Sequence, residues 1–322
     1  MFDSVRRIHL WRERPGRGIR PRVTSASPPR LFDRALIARR LDRALKKPAP
    51  GADFLIRRAA EELLDRLSLV KRSFPVAADI GTPTPHAAES ISARAGARLT
   101  LRLAPTLLSA KLGGEVCVGD PERLPFAGQS LDLAISIYAL QTVNDLPGAL
   151  IQMRLALKPD GLVIAALAGG DTLFELRHAL TAAESEILGG AAPRVAPFAD
   201  VRALGALLQR AGLALPVVDS DRVVARYADM FALIRDLRAF GATNALLSRD
   251  RRPVPRAVFL RAAQVYAKEF SDPDGRLRAT FETLWISGWA PHQSQPQPLK
   301  PGSARMRIED ALRPGRNIRD AS

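Results

Sequence analysis

The sequence has few of the residues that build cross-links or metal sites. Its 322 residues include one cysteine, Cys117, and four histidines. A single cysteine excludes an intrachain disulfide and a cysteine-built metal centre. The histidines are His9, His86, His178 and His292. No two of them have the spacing of metal ligands, so we predict no metal site.

Long apolar runs and a charged body are also lacking. No stretch of about 18 uninterrupted apolar residues occurs, so no membrane span is predicted. The net charge is +15, but residues 1–47 hold 14 Lys/Arg against 4 Asp/Glu and residues 296–322 hold 6 against 3, which leaves +2 for residues 48–295. A nucleic-acid enzyme needs a basic face on its folded body, so the pattern argues against RNA or DNA as substrate. Peripheral membrane contact through the basic N-terminal region stays open.

The apolar content, 47% of the residues, is enough for a large folded unit. Residues 1–30 are rich in Arg and Pro and predict a flexible basic segment, which is either a transit peptide or a basic leader. Residues 31–72 predict N-terminal helices. Residues 73–290 predict an α/β domain with helical insertions after its fifth strand, and residues 291–322 predict an extended tail.

Short apolar strands alternate with helices in the main domain. The strands are predicted to begin near Pro75, Leu99, Glu115, Leu131 and Leu162. Such alternation predicts an α/β, Rossmann-like fold with a mostly parallel sheet and helices on both faces. Ligands of such folds bind outside the carboxyl ends of the strands.

The first predicted strand ends in Asp79-Ile-Gly81-Thr82-Pro83-Thr84-Pro85. An acid and a glycine after a buried strand are typical of a nucleotide-binding turn, because glycine lets the backbone approach the ligand. Pro83 and Pro85 stand where further glycines are usual. Proline fixes φ and removes the N–H donor, so the turn departs from the usual pattern.

The second predicted strand carries Arg102 where the fold usually has an acid. A carboxylate at this place accepts hydrogen bonds from both ribose hydroxyls. An arginine cannot accept and suits a phosphate or a carboxylate instead.

A longer ordered segment runs from Gly119 to Ser136. It begins Gly-Asp120-Pro-Glu122-Arg-Leu124-Pro-Phe and ends Ser-Leu-Asp-Leu-Ala-Ile-Ser. It resembles the segment that joins strands three and four of class I S-adenosylmethionine-dependent methyltransferases. In that family the aspartate after strand three accepts from the adenine amino group. Lys158-Pro-Asp-Gly161 similarly resembles the Lys-Pro-Gly-Gly turn before strand five.

Further segments narrow the resemblance to one family, the mitochondrial complex I assembly factors with a methyltransferase-type domain and their alphaproteobacterial relatives. These segments are Leu31-Phe-Asp-Arg34, Val143-Asn-Asp-Leu-Pro-Gly, Gly169-Gly-Asp-Thr-Leu-Phe-Glu-Leu-Arg177 and Gly288-Trp-Ala-Pro-His-Gln-Ser-Gln. The resemblance covers about residues 31–305. It implies a protein substrate or a respiratory complex subunit, with an arginine of an iron–sulfur subunit as the modified residue. The implied compartment is the bacterial cytoplasm or the mitochondrial matrix.

The resemblance also implies a set of site residues. Those expected to bind S-adenosylmethionine are Asp79, Gly81, Thr82, Arg102, Asp120, Glu122, Leu124 and Ser136. The candidates for catalysis are Asp171, Glu175 and Arg177, of which Asp171 and Glu175 are predicted to share a helix face.

Three departures from this family line the same predicted pocket. They are the two prolines of the first turn, Arg102 in place of an aspartate, and Gln141-Thr142 in place of a His-Trp pair. Two readings therefore stay open. One is a methyltransferase-family enzyme that modifies a protein side chain, and the other is a non-catalytic assembly or scaffold protein that kept the fold and lost the cofactor.

Overall fold

The computed structural model describes residues 30–94 and 96–296 of the protein. The predicted flexible segment, up to residue 29, and the tail beyond residue 296 lie outside these described residues. The strands are β1 (Val76–Ile80), β2 (Leu99–Ala104), β3 (Glu115–Val118), β4 (Leu131–Ile137), β5 (Leu157–Ala168), β6 (Ala214–Tyr227) and β7 (Leu277–Trp289). The helices are α1 (Arg34–Lys46), α2 (Phe54–Ser68), α3 (His86–Arg94), α4 (Leu107–Ala110), α5 (Leu146–Ala156), α6 (Phe174–Leu188), α7 (Val201–Arg210), α8 (Met230–Ala239) and α9 (Arg256–Phe270).

The strands form one sheet in the order β3-β2-β1-β4-β5-β7-β6. The pairs from β3 to β5 are parallel, and β7 runs antiparallel to both β5 and β6. The predicted mostly parallel α/β sheet is therefore confirmed. Strand order reverses between β1 and β4, and the carboxyl ends of these two strands form the crevice where such sheets bind ligands.

Apolar residues cover the sheet on both faces. On one face α2 and α3 bury Ile56, Leu63 and Ile91 against β1 and β4. On the other face α5 and α7 bury residues such as Met153 and Leu208. Each such side chain contributes roughly 1.5–3 kcal/mol through burial, so the sheet gives the crevice a rigid base.

The N-terminal helix lies over the loops that follow β2 and β4. The backbone N–H groups of Leu31 and Phe32 both donate to Asn144 Oδ1 at 2.8 Å, and Asn144 follows β4. Asp33 caps α1 by accepting from the Leu36 N–H at 3.0 Å. The helix then contacts α4, which follows β2. The carboxyl edge of the sheet is thus covered by the chain's own N-terminal region.

The sequence Leu215-Pro-Val-Val-Asp-Ser-Asp-Arg-Val-Val-Ala-Arg-Tyr227 predicts two short strands around an acidic turn, and this prediction is wrong. The segment is a single strand, β6. Asp219 and Asp221 pair with Arg66 and Arg58 of α2 at 2.7 and 3.0 Å. The acids face a basic helix that is remote in sequence, which removes the need for a turn.

Candidate active site

The turn after β1 is locked to β4 by two hydroxyl groups. Thr82 Oγ1 donates to the Asp79 carboxylate and accepts from the Ile137 N–H at 3.0 Å. Ser136 Oγ donates to the Ile80 carbonyl at 2.7 Å. These contacts bring together three residues that the sequence assigned to one pocket.

Asp79 lies at the centre of this arrangement and is 1% exposed. Burial raises the pKa of Asp79 to about 7, although the Thr82 hydroxyl and the Arg102 charge both act to lower it. A carboxyl group with so high a pKa in a ligand crevice is a marker of a functional site.

Gly81 has a positive φ of +78°, as a nucleotide-binding turn requires. A Cβ at this position would lie 2.8 Å from Pro121 Cγ and 3.0 Å from Ala139 Cβ. The loops after β1, β3 and β4 therefore meet at Gly81, and no larger residue fits between them.

Several buried oxygen atoms at this edge have no hydrogen-bond partner within the described residues. They are Asp79 Oδ2, Thr84 Oγ1, Gln141 Oε1 and, on the covering helix, Asp42 Oδ1. Buried polar atoms are rarely left unpaired, so each of these acceptors calls for a ligand or water. Gln141, which replaces a residue of the resembled family, is one of them.

These acceptors are the test of whether S-adenosylmethionine fits. Its ammonium group and positive sulfonium need nearby oxygen atoms and negative charge, which Asp79, Thr84 and Gln141 supply. The cationic part of the cofactor therefore fits the residues present.

The position expected to bind ribose is different. Arg102 is 1% exposed, and its Nη1 donates to the carbonyls of Gly113 at 2.7 Å and Ser109 at 3.4 Å. Ser109 Oγ in turn donates to the Pro83 carbonyl at 2.6 Å. Arg102 is therefore built into the support of the turn and offers no acceptor to ribose hydroxyls.

The loop after β3 is held by Arg34, a residue that the sequence gave no site role. Arg34 Nη2 lies 2.7 Å from Asp120 Oδ1, and its Nη1 lies 3.4 Å from Glu122 Oε1. Glu122 also accepts from the Asn144 N–H, and the Leu124 N–H donates to Gln152 Oε1 at 3.0 Å. The loop expected to bind adenine thus also forms the ion pairs that hold α1 in place. The Leu31-Phe-Asp-Arg34 segment was the only signal for them in the sequence.

The three catalytic candidates occupy different environments. Asp171 precedes α6, which begins at Phe174, so it does not share a helix face with Glu175 as expected. Its half-exposed carboxylate pairs with Arg222. Arg177 donates to the carbonyls of Gly170 and Thr172 at 3.1 and 3.2 Å.

Glu175 is 2% exposed and binds β7. Its carboxylate accepts from the Thr280 N–H at 3.1 Å and from the Thr280 hydroxyl at 2.5 Å. These contacts use the carboxylate to hold α6 on the sheet, which favours a structural role.

Replacement of Glu175 by glutamine is expected to lower the free energy of unfolding by about 1–3 kcal/mol, because a charge-assisted buried contact is lost. Chemical denaturation measures it. Glu186→Gln, on the same helix and paired with exposed Arg261, is the control and should stay within about 0.5 kcal/mol of the parent. Equal effects of the two substitutions would contradict the structural role.

Two features are absent from the described residues. No cluster of three or more His, Cys, Asp or Glu side chains there has the arrangement of a metal site. Over the same residues, no helix has the length and apolar character needed to cross a membrane.

The sheet region of the chain is similar to known methyltransferase domains. A family model described as "Methyltransferase domain" matches residues 78–165, from β1 into β5. The YcgJ protein of Bacillus subtilis superposes with a TM-score of 0.51 over 72% of this chain and 99% of that one, at 14% identity. This structural likeness shows the fold.

Closer relatives cover nearly the whole chain. The mitochondrial arginine-hydroxylase NDUFAF5 of Danio rerio is 37% identical over 292 residues, which is 89% of this chain and 91% of that protein. The Homo sapiens protein of the same name is 35% identical over 96% and 93% of the two chains. A malonyl-[acyl-carrier protein] O-methyltransferase of Methylovorus sp. is 34% identical over 88% and 94%.

Proposed function

The chain belongs to the family of methyltransferase-domain proteins that includes the mitochondrial arginine-hydroxylase NDUFAF5, and on that premise we propose that it modifies an arginine side chain of a protein. The observation that carries the proposal is the similarity over nearly the whole chain at 37% and 35% identity, against 34% for the malonyl-[acyl-carrier protein] O-methyltransferase. The domain match ends at residue 165, whereas the Danio rerio and Homo sapiens arginine-hydroxylases match 89% and 96% of the chain. The shared part therefore includes α1 and the segment from α6 to β7, which cover and flank the ligand crevice.

The proposed cofactor is S-adenosylmethionine, whose sulfonium activates the carbon groups attached to it. The atoms of this chain that suit it are Asp79 Oδ2, Thr84 Oγ1 and Gln141 Oε1, all buried and unpartnered in the described part of the chain. α1, held by Arg34, shields this site from water. The domain is thus of the S-adenosylmethionine-dependent type, with an altered ribose position.

We place the substrate guanidinium at Asp171. This residue follows β5 at the carboxyl edge of the sheet, and its carboxylate already binds a guanidinium, that of Arg222. Its backbone N–H donates to Glu282 Oε2 at 2.9 Å, which fixes the position of the residue. A substrate arginine presents the same planar donor group and can replace Arg222 there.

Modification of the substrate is tested in cells that lack the protein and carry a plasmid copy of it. Mass spectrometry compares arginine peptides of respiratory iron–sulfur subunits, and it separates gain of an oxygen atom from gain of a methylene group. With Asp171→Asn, we expect the modified fraction of the substrate arginine to be roughly tenfold lower than with the parent, because one charged contact is lost.

Asp274→Asn is the matched control for that variant. Asp274 is as exposed as Asp171 and also pairs with an arginine, Arg226, which lies four residues along β6 from Arg222, the partner of Asp171. Its modification level should equal that of the parent. If no arginine modification depends on the protein, and the methylation of malonyl-[acyl-carrier protein] depends on it instead, the proposal is refuted in favour of an activity like that of the O-methyltransferase relatives.

A non-catalytic assembly role is the second candidate, and the buried Arg102 favours it. The ribose position lacks its acceptor, and two prolines remove N–H donors from the turn. Purified protein, denatured and extracted, decides between the candidates. Release of S-adenosylmethionine or its demethylated product excludes a scaffold without cofactor, and a protein that neither releases nor binds the cofactor supports it.

A further inference from the structure

The connection between β2 and β3 leaves part of the sheet uncovered. Its helix, α4, has four residues, and all four residues of β3 are exposed. Strands of a parallel sheet are normally buried on both faces by helices. Here a groove of about 760 Å³ runs between α3 and the strands β2 and β3. A groove of this size suits a ligand of metabolite size.

The groove is lined by small apolar residues and a few polar ones. Ala88, Ala93 and Leu99 belong to the apolar part. The hydroxyls of Ser92 and Thr100 lie 2.9 Å apart in its wall. The charged side chains that line it are Arg98, Arg102, Glu89 and Glu115.

Arg102 is the buried cation of the groove. A guanidinium stays charged in proteins, so burial without a partner is costly. Within the described residues only its Nη1 has partners, the two backbone carbonyls described above. Its Nε and Nη2 are buried and have no partner in the described residues, and the carboxylate of Asp79 attracts it without an ion pair.

The two free donors lie on the same edge of the guanidinium. Nε–H and Nη2–H point in parallel and form the fork that binds carboxylates and phosphates through two hydrogen bonds. The carbonyls of Gly113 and Ser109 fix Nη1 and so orient this edge. Both donors are closed off from solvent in the ligand-free protein, so an oxyanion that binds them must displace part of the groove wall.

We propose that the groove between α3 and β2–β3 is a second ligand site, in which Arg102 binds the phosphate or carboxylate group of a small molecule. Arg98 adds positive charge, and the hydroxyls of Ser92 and Thr100 add donors. Glu89 and Glu115 disfavour ligands with several negative charges and suit one that also carries a donor. The site does not depend on the proposed arginine modification.

Calorimetric titration of the full-length protein with inorganic phosphate tests the site, with acetate and chloride at equal ionic strength as separate arms. Binding of phosphate alone identifies a phosphate ester as the natural ligand class, and binding of acetate alone identifies a carboxylate. We expect Arg102→Met to weaken the bound anion at least tenfold, since both hydrogen bonds and the charge are lost. Arg102→Lys, which keeps the charge without the fork, should weaken it as well.

Arg154→Met is the matched control. Arg154 also has a buried Nε without a partner in the described residues, but it lies on α5, away from the groove. Its binding should equal that of the parent. If Arg102→Met does not fold, Arg102→Lys alone decides. No binding by the parent, or equal binding by the Arg102 variants, which means an adventitious ion only, overturns the proposal.

Discussion

Replacement of Asp79 by asparagine is expected to stabilise the ligand-free protein by about 4 kcal/mol at pH 8 and to change little near pH 3. The pKa of this carboxyl group is about 7 in the folded protein, against an ordinary value of 3.8. Between pH 4 and pH 7 the folded state therefore holds a proton that the unfolded state has already lost. Its contribution to stability is full below the unfolded pKa and falls as pH rises through the folded pKa.

Urea denaturation of the parent and of Asp79→Asn, repeated from pH 3 to pH 8, measures this difference. The parent should lose stability over the window between the two pKa values, and the variant should not lose this part. Asp132→Asn is the control, because Asp132 is paired with Lys158 at 2.8 Å and its substitution removes an ion pair. Parallel pH curves for parent and Asp79→Asn would show that burial of Asp79 carries no such penalty.

The penalty has a functional meaning in the proposed site. A buried carboxylate that destabilises the empty protein is stabilised when a positive ligand binds beside it. Asp79→Asn should therefore bind S-adenosylmethionine more weakly while it unfolds less readily. A gain in stability with a loss of binding is the expected signature of a residue kept for a ligand.

The strands and helices of the α/β part follow from local pattern, but the contacts that shape the site do not. Alternation of apolar strands and helices predicts β1 to β5, because the connecting helices bury the inner strands β1, β4 and β5, whereas the edge strand β3 is exposed. The prediction of two short strands in place of β6 was wrong because Asp219 and Asp221 bind arginines about 150 residues earlier in the chain. Pairings over such separations leave no period in the sequence.

The candidate site likewise combines contacts that follow from the order of the strands with contacts that the sequence does not predict. Asp79, Thr82 and Ser136 meet as predicted, because the turn after β1 and the end of β4 are adjacent in any sheet of this order. The ion pair of Arg34 with Asp120 joins residues that are 86 positions apart in the sequence. Arg34 is one of many arginines in a basic segment, so the sequence does not indicate which acid it binds. The role of Asp120 toward adenine stays a prediction.

The second large effect concerns the altered turn and ribose position together. The triple variant Pro83→Gly, Pro85→Gly, Arg102→Asp is expected to bind S-adenosylmethionine on the order of a hundredfold more tightly than the parent. It restores two N–H donors and one acceptor, and two or three hydrogen bonds at about 1 kcal/mol each give that factor. The carbonyl of residue 83, which accepts from Ser109 Oγ, and that of residue 85, which accepts from the Glu89 N–H, are kept.

The same variant should unfold more easily than the parent, since glycine increases the freedom of the unfolded chain and Pro85 precedes α3. Calorimetric titration at several temperatures, with thermal unfolding beside it, separates the two effects. Arg102→Asn in the same background is the control for charge, because a second carboxylate beside Asp79 repels it, whereas an amide oxygen accepts a ribose hydroxyl without that repulsion. Tight binding by the parent and weaker binding by both triple variants would mean that Arg102 and the prolines hold the cofactor in their own way. Arg102 would then itself bind the cofactor, and its presence would not indicate a lost cofactor site.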